Sequence, residues 1–196
     1  MKNNRLCRHY LLLVLVFVTG CASVATPPPV LIRPAQIENK PFVIAGRIVV
    51  KHKGERTSAT VRWTHSPQKD EILLFAPLGK TVARIHTSAD EVTLDTPNKH
   101  YAAPDVESLM QQVLGWSLPL AGLRYWVFAM PAPDSSFEMQ SAPNGQVNQL
   151  LQEQWIIHYP RYAGTTPDSL PSHITLLRGE LSIQLLIDEW EVGESW

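Results

Sequence analysis

Residues 119–131 read Pro-Leu-Ala-Gly-Leu-Arg-Tyr-Trp-Val-Phe-Ala-Met-Pro, a stretch in which Arg124 is the only charge. Proline is tolerated in the first turn of a helix and stops one further along, so the spacing predicts a helix from near Pro119 to Met130. A helix that is apolar all round is buried rather than laid on a surface. In a chain otherwise patterned for strands, it belongs inside a curved sheet, against the concave face. A second helix is predicted just before it. Asp105 is a good N-cap, and Gly115 ends the segment. Val106, Leu109, Met110, Val113 and Leu114 fall at i, i+3, i+4, i+7 and i+8 and form one apolar stripe.

The strands lie on either side of these helices. From Arg56 to Trp63 the alternation is clean: Thr57, Ala59, Val61 and Trp63 share one face, and Arg56, Ser58, Thr60 and Arg62 the other. That is a half-buried antiparallel strand. Phe42 to Val50 has apolar residues on both phases, which suits a strand covered on both faces. The polar turn Lys51-His-Lys-Gly-Glu55 joins the two as a hairpin. Further strands are predicted at Ile72–Ala76, Val82–His86, Glu91–Asp95, Trp155–Tyr159, Ile174–Leu177 and Leu181 to about Trp190. Ser88-Ala-Asp90 and Thr96-Pro-Asn-Lys99 serve as turns, and the Pro-, Ser- and Asn-rich stretch after Met130 reads as a loop. Several short strands with turn signals every 8–12 residues predict an antiparallel sheet or open barrel, a mainly β, α+β fold.

One turn is unusual. Pro77-Leu78-Gly79 puts leucine at the tip of a Pro/Gly turn. Either Leu78 folds back to cover core, or it stands out as an apolar finger toward lipid.

The N-terminus carries a different signal. Lys2, Arg5 and Arg8 precede the apolar run Tyr10–Val18, and small Thr19 and Gly20 stand before Cys21. This is the pattern of a secretory signal, and the run is too short for a membrane span, which needs about 20 residues. Val-Thr-Gly-Cys21 also resembles the bacterial lipobox, so residues 1–20 are expected to be a lipoprotein signal peptide. Cys21 would then carry an S-diacylglycerol and an N-acyl group, and no other cofactor is expected. Ala22 follows, and by resemblance to enterobacterial sorting it suggests passage to the outer membrane. Residues 21–41 include Pro27, Pro28, Pro29, Pro34 and Pro41 and read as a lipidated, proline-rich tether, with the folded domain at 42–196.

Removal of the signal leaves 14 basic and 18 acidic residues, a formal charge of about −4. With no Lys/Arg run, the footprint of a nucleic-acid binder is missing. Cys7 leaves with the signal, so the mature chain has no disulfide and is stabilised by packing.

Nothing in the sequence argues for an enzyme. The histidines His9, His52, His65, His86, His100, His158 and His173 show no metal-ligand spacing. There is no G-x-S-x-G elbow and no glycine-rich phosphate loop. Asp188 and Glu189 are adjacent in a strand and are expected on opposite faces, unable to act as a couple. Catalytic and metal sites are therefore both expected to be absent. The positive signals are aromatic: Trp63, Trp116, Trp126, Trp155, Phe42, Phe75, Tyr125 and Phe128. They would serve an ordinary core, or line an apolar cavity where sheet and helices do not close. The residues assigned to such an acyl-binding cavity are Trp63, Phe75, Leu123, Trp126 and Trp155.

Taken together, the chain resembles the LolB family of outer-membrane lipoprotein receptors. The resemblance covers most of residues 42–190. It is strongest over Leu114-Gly-Trp-Ser-Leu-Pro-Leu-Ala-Gly-Leu-Arg-Tyr-Trp126 and Pro131-Ala-Pro133. Phe42–Gly46, Arg47, Trp63, Pro77-Leu-Gly79, Trp155, Tyr159, Ile187 and Trp190 follow in the family's order. Ala129 and Gln154 stand where the family often has glycine. The resemblance implies a half-open antiparallel β-barrel whose short helices cover a hydrophobic cavity. It further implies a monomeric, non-enzymatic receptor facing the periplasm. Such a receptor takes lipoprotein cargo from a LolA-like carrier and places it in the inner leaflet of the outer membrane without nucleotide. In that family the loop matching Pro77, Leu78 and Gly79 promotes membrane insertion. The alternatives are a tethered protein for another lipid or apolar ligand and, more remotely, an envelope hydrolase.

Overall fold

The structure is a computed structural model that describes residues 40–88, 91–117 and 119–193. The expected signal peptide, Cys21, the tether as far as residue 39, and Ala89 and Asp90 of one expected turn lie outside the described residues. The strands are β1 (Phe42–His52), β2 (Glu55–Ser66), β3 (Lys69–Phe75), β4 (Thr81–Thr87), β5 (Val92–Asp95), β6 (His100–Ala103), β7 (Phe137–Ser141), β8 (Val147–Gln152), β9 (Trp155–Tyr162), β10 (Pro171–Arg178) and β11 (Leu181–Val192). Two helices, α1 (Val106–Leu114) and α2 (Leu120–Trp126), stand between β6 and β7.

All eleven strands form one antiparallel sheet in the order β6-β5-β4-β3-β2-β1-β11-β10-β9-β8-β7. The chain runs outward from β1 to one edge and returns through the helices to build the other half inward to β11. The edges β6 and β7 are not paired to each other, so the barrel is open. Every predicted strand except β5 is longer than expected by about two residues or more, β2 and β10 by four. Three further strands were not predicted: β6 lies in a stretch given no element, and β7 and β8 lie in the stretch read as a loop.

Alternation fixes the concave face. Phe42 and Ile44 of β1, Val61 and Trp63 of β2, and Leu181, Ile183, Leu185 and Ile187 of β11 are buried there. The opposite face of β1 is not covered as its composition suggested: Arg47 is exposed, Val43 and Ala45 are half-buried, and Val49 alone is buried. β1 and β11 slip register between Ala45 and Gly46, leaving Asp188 as the extra residue of a bulge. The bulge reverses the phase of β11, so Trp190, like Ile187, packs on the core. Asp188 and Glu189 therefore share the convex face, where both are exposed, contrary to the expectation of opposite faces. Gly46 is required opposite the bulge, because a Cβ there would lie 2.0 Å from the Leu186 carbonyl oxygen.

The helices fill the concavity. Asp105 caps α1 by accepting from the Ser108 backbone N–H at 2.7 Å, and Gly115 closes it at φ 74°. These caps fall where the sequence put them. α2 is shorter than predicted. It ends at Trp126, and Val127–Ala129 continue as a tight turn with Ala129 at φ 54°. Gly122, Leu123, Trp126, Val127, Phe128 and Ala129 are buried, whereas Ala121 reaches solvent. Gly122 leaves room for the Trp126 indole, which a Cβ there would meet at 2.9 Å.

Candidate functional site

The two ends of the half-barrel differ. Register places the start of β1 beside the end of β2 and the end of β11, as Phe42 pairs with His65 and Val192. At the other end lie the turns Lys53-Gly54, Pro77-Leu78-Gly79 and Gly179-Glu180.

The first end is closed by aromatic packing. The Phe42 ring meets Trp63 at 4.9 Å, His65 at 4.8 Å and Phe128 at 5.3 Å between centroids, and Phe128 meets Trp190 at 5.2 Å. Behind this plug lies a buried polar network centred on Asp70, whose side chain is wholly buried. Trp63 Nε1 donates to Asp70 Oδ1 at 2.8 Å, and His65 Nδ1 lies 2.7 Å from the same oxygen. Asp70 Oδ2 accepts from Arg124 of α2, while Thr87 Oγ1 accepts from the Asp70 backbone N–H at 2.9 Å. Burial pushes the Asp70 carboxyl up. The His65 hydrogen bond, the Arg124 charge and the Trp63 hydrogen bond together outweigh that and hold it below its ordinary value. The network ties α2 to β2, β3 and β4. Arg124 is thus partnered within the fold, and its role was not readable from the sequence.

The second end is open. A cavity of about 430 Å³ runs between the sheet and the helices, within the usual range of ligand pockets. Ile48, Val50, Ile72, Leu74, Ile183 and Leu185 form its sheet wall. Val106, Met110 and Val113 of α1, then Trp116, Leu120 and Leu123, form the helix wall. Trp63 closes the inner end, its indole N–H drawn away by Asp70. His52, Glu55 and Thr57 of the β1–β2 hairpin rim the mouth.

Of the residues assigned to the cavity from sequence, Trp63 and Leu123 line it; Phe75, Trp126 and Trp155 do not. Phe75 sits on the convex phase of β3, paired with exposed Thr60. Trp126 and Trp155 are completely buried behind the helix wall, 6.1 Å apart. Trp126 Nε1 donates to Gln152 Oε1 at 2.8 Å, and the Arg178 guanidinium stacks 4.4 Å above Trp155. Sequence reasoning missed the α1 contribution to the wall, although the i, i+4, i+7 spacing of Val106, Met110 and Val113 was the available signal.

The Pro77-Leu78-Gly79 turn stands at the same end as the mouth. Gly79 N–H donates to the Ala76 carbonyl at 2.8 Å, Ala76 N–H donates to the Lys80 carbonyl at 2.9 Å, and Gly79 has φ 79°. This is the three-residue hairpin loop in which a turn is followed by a left-handed residue. Pro77 fixes its first position and Gly79 supplies the positive φ. The geometry aims Leu78 away from the fold, and its side chain is 98% exposed. It does not fold back to cover core.

Among the described residues no cluster of three or more His, Cys, Asp and Glu side chains could hold a metal ion, and no helix is long and apolar enough to cross a membrane.

The family model described as outer membrane lipoprotein LolB matches residues 40–190. A protein of Nitrosomonas europaea named outer-membrane lipoprotein LolB is 37% identical, over 96% of this chain and 94% of its own. Proteins of the same name from Thiobacillus denitrificans and Chromobacterium violaceum are each 34% identical. The first match spans 88% of this chain and 90% of its own, the second 94% and 98%.

Proposed function

Because the chain belongs to the LolB family of outer-membrane lipoproteins, we propose that it is a lipid-anchored receptor of the outer membrane, facing the periplasm. It accepts lipoprotein cargo from a LolA-like carrier and passes that cargo to the inner leaflet. Cys21 carries the anchor, and its two or more acyl chains hold stably where a single chain would not. The observation that carries this reading is a shared end: the apolar cavity opens where Leu78 projects. Acyl chains leaving the cavity emerge beside the group that enters lipid. No nucleotide is required where the hand-over is downhill. Transfer runs downhill if the cavity holds acyl chains better than the carrier does, and about 1.4 kcal/mol already gives tenfold.

The test uses the mature chain with Cys21→Ala, mixed with a LolA-like carrier loaded with labelled lipoprotein. Label should move to this chain without nucleotide and then into added vesicles. Leu78→Glu should accept label as the parent does but deliver it several-fold more slowly, since a carboxylate resists entering hydrocarbon. Label that stays on the carrier while this chain is folded would exclude the receptor reading in favour of binding another lipid. Equal delivery by Leu78→Glu and parent would exclude the finger.

A further inference from the structure

The open end carries a second feature besides Leu78. Lys51, Lys53 and Arg56 lie on the β1–β2 hairpin, Lys80 directly follows the Leu78 turn, and Lys99 lies in the β5–β6 turn. All five are exposed, and none has a carboxylate partner in the ion pairs of the described residues. On the Leu78 half of this end, β1 to β6, the carboxylates are Glu55 and Asp95, the latter held by His100 at 2.6 Å. Asp134, Glu138, Glu153 and Glu180 lie on the other half, β7 to β11. The closed end is mixed, with Glu91, Asp188, Glu189 and Glu191 exposed beside Lys69, Arg161 and Arg62, the last 3.7 Å from Glu191. The mature chain as a whole is acidic, so this basic rim is a local arrangement and not a consequence of composition.

We propose that the basic rim docks the open end on a bilayer bearing anionic phospholipid, with Lys53, Lys80 and Lys99 on headgroup phosphates while Leu78 enters the acyl region. A fully exposed leucine flanked by unpaired lysines has the make-up of an interfacial membrane contact, apolar tip inward and cations at headgroup level. Anionic surfaces attract such cations, and the attraction fades within a Debye length. The rim thereby orients the mouth toward lipid before cargo leaves. The proposal rests on reading Leu78 as the membrane-contacting group and adds which lipid is recognised.

The test is flotation of the mature Cys21→Ala chain with phosphatidylcholine vesicles, with and without phosphatidylglycerol, at low and high salt. The parent should prefer the anionic vesicles, and the preference should fall as salt rises. Lys53→Gln/Lys80→Gln/Lys99→Gln should lose it, at roughly fivefold per neutralised lysine at low salt. All three positions are exposed, and an unchanged urea midpoint would verify folding. Equal binding of the parent to both vesicles, or a preference kept by the triple variant, would overturn the proposal. So would a triple variant that binds vesicles as the parent does but takes cargo from the carrier more slowly, because the rim would then face protein. Delivery by Leu78→Glu separates the two failures. If that variant is impaired while lipid preference is absent, the receptor reading stands and only the rim's role falls.

Discussion

At the scale of single residues, Asp70 shows how a carboxylate is made tolerable at zero exposure. It accepts from Trp63, His65 and Arg124, and its own backbone N–H is taken by Thr87. Asp70→Asn would keep the volume but turn an amide N–H toward Arg124, leaving that guanidinium without its counter-charge. Breaking a buried pair costs roughly 3–5 kcal/mol. Arg124 keeps 34% of its side chain in solvent, which lowers the expected loss to about 2–3 kcal/mol in urea unfolding. A variant within about 0.5 kcal/mol of the parent, the range of unremarkable surface substitutions, would mean the network is not what holds α2. The pH dependence has a definite sign. The folded carboxyl lies below its ordinary 3.8, so its contribution is fully present above that value and is lost as pH falls through the lower folded value. Parent and Asp70→Asn stabilities should therefore converge in acid and separate toward neutrality. A stability gap that stays constant across this range would contradict it. None of this was legible in sequence. His65 and Asp70 are five residues apart, but Arg124 is 54 residues from Asp70, and a lone histidine in a strand ordinarily means little. The N-cap at Asp105 was legible because its partner, Ser108, is three residues away.

At the scale of elements, what could be read depended on how regular the local pattern was. β2 and β11 alternate cleanly, and both were found. β8 reads Val-Asn-Gln-Leu-Leu-Gln, with Leu151 half-exposed and polar Gln152 buried, so its alternation is broken. Gln152 is inside because its amide serves five groups: it accepts from Trp126 Nε1 and the Ala132 N–H, and donates to the Ala132 carbonyl and to Ser135 Oγ and carbonyl oxygen. β7 is exposed throughout and offered no buried face to detect. The β8–β9 hairpin also lacked its usual marker. Glu153 and Gln154 both have positive φ, 52° and 66°, the backbone of a type I′ turn that normally selects Asn-Gly. The equivalent β1–β2 turn has Gly54 at its second position, at φ 83°. A non-glycine residue in this region costs roughly 1–2 kcal/mol. Gln154→Gly should thus stabilise the domain by about 1 kcal/mol after glycine's extra chain entropy is deducted. The check is an upward shift of the urea midpoint at constant slope. An unchanged or lower midpoint would show that the turn has relaxed the strain by other means.

At the scale of the whole molecule, the constraint is where the chain enters. Pro41 lies at the closed end, its carbonyl accepting from Gly193 N–H at 2.9 Å, while the mouth and Leu78 are at the other. The eleven residues of β1 separate the two ends by about 36 Å at the strand rise of ~3.3 Å per residue. An anchor at Cys21 and a finger at Leu78 reach the same leaflet only if the intervening chain runs back along the domain. Residues 22–41 can span about 65–70 Å fully extended, enough to do so. Deleting residues 25–34 would leave about ten residues and a reach of roughly 33 Å, shorter than β1. The anchored deletion variant should accept cargo as the parent does but insert it poorly into the vesicle that carries its own anchor. With Cys21→Ala added, the same deletion is free of the tether and should deliver cargo like an undeleted Cys21→Ala chain. This pairing separates reach from folding, because both proteins carry the same shortened segment. Normal insertion by the anchored variant would mean that the mouth serves another membrane, or that delivery does not need Leu78 to touch lipid. Impaired delivery by both would instead assign residues 25–34 a role beyond length. The tether's length would then be as much a part of the machine as the cavity, since a domain that enters at its closed end must turn over to present its mouth to the membrane that holds it.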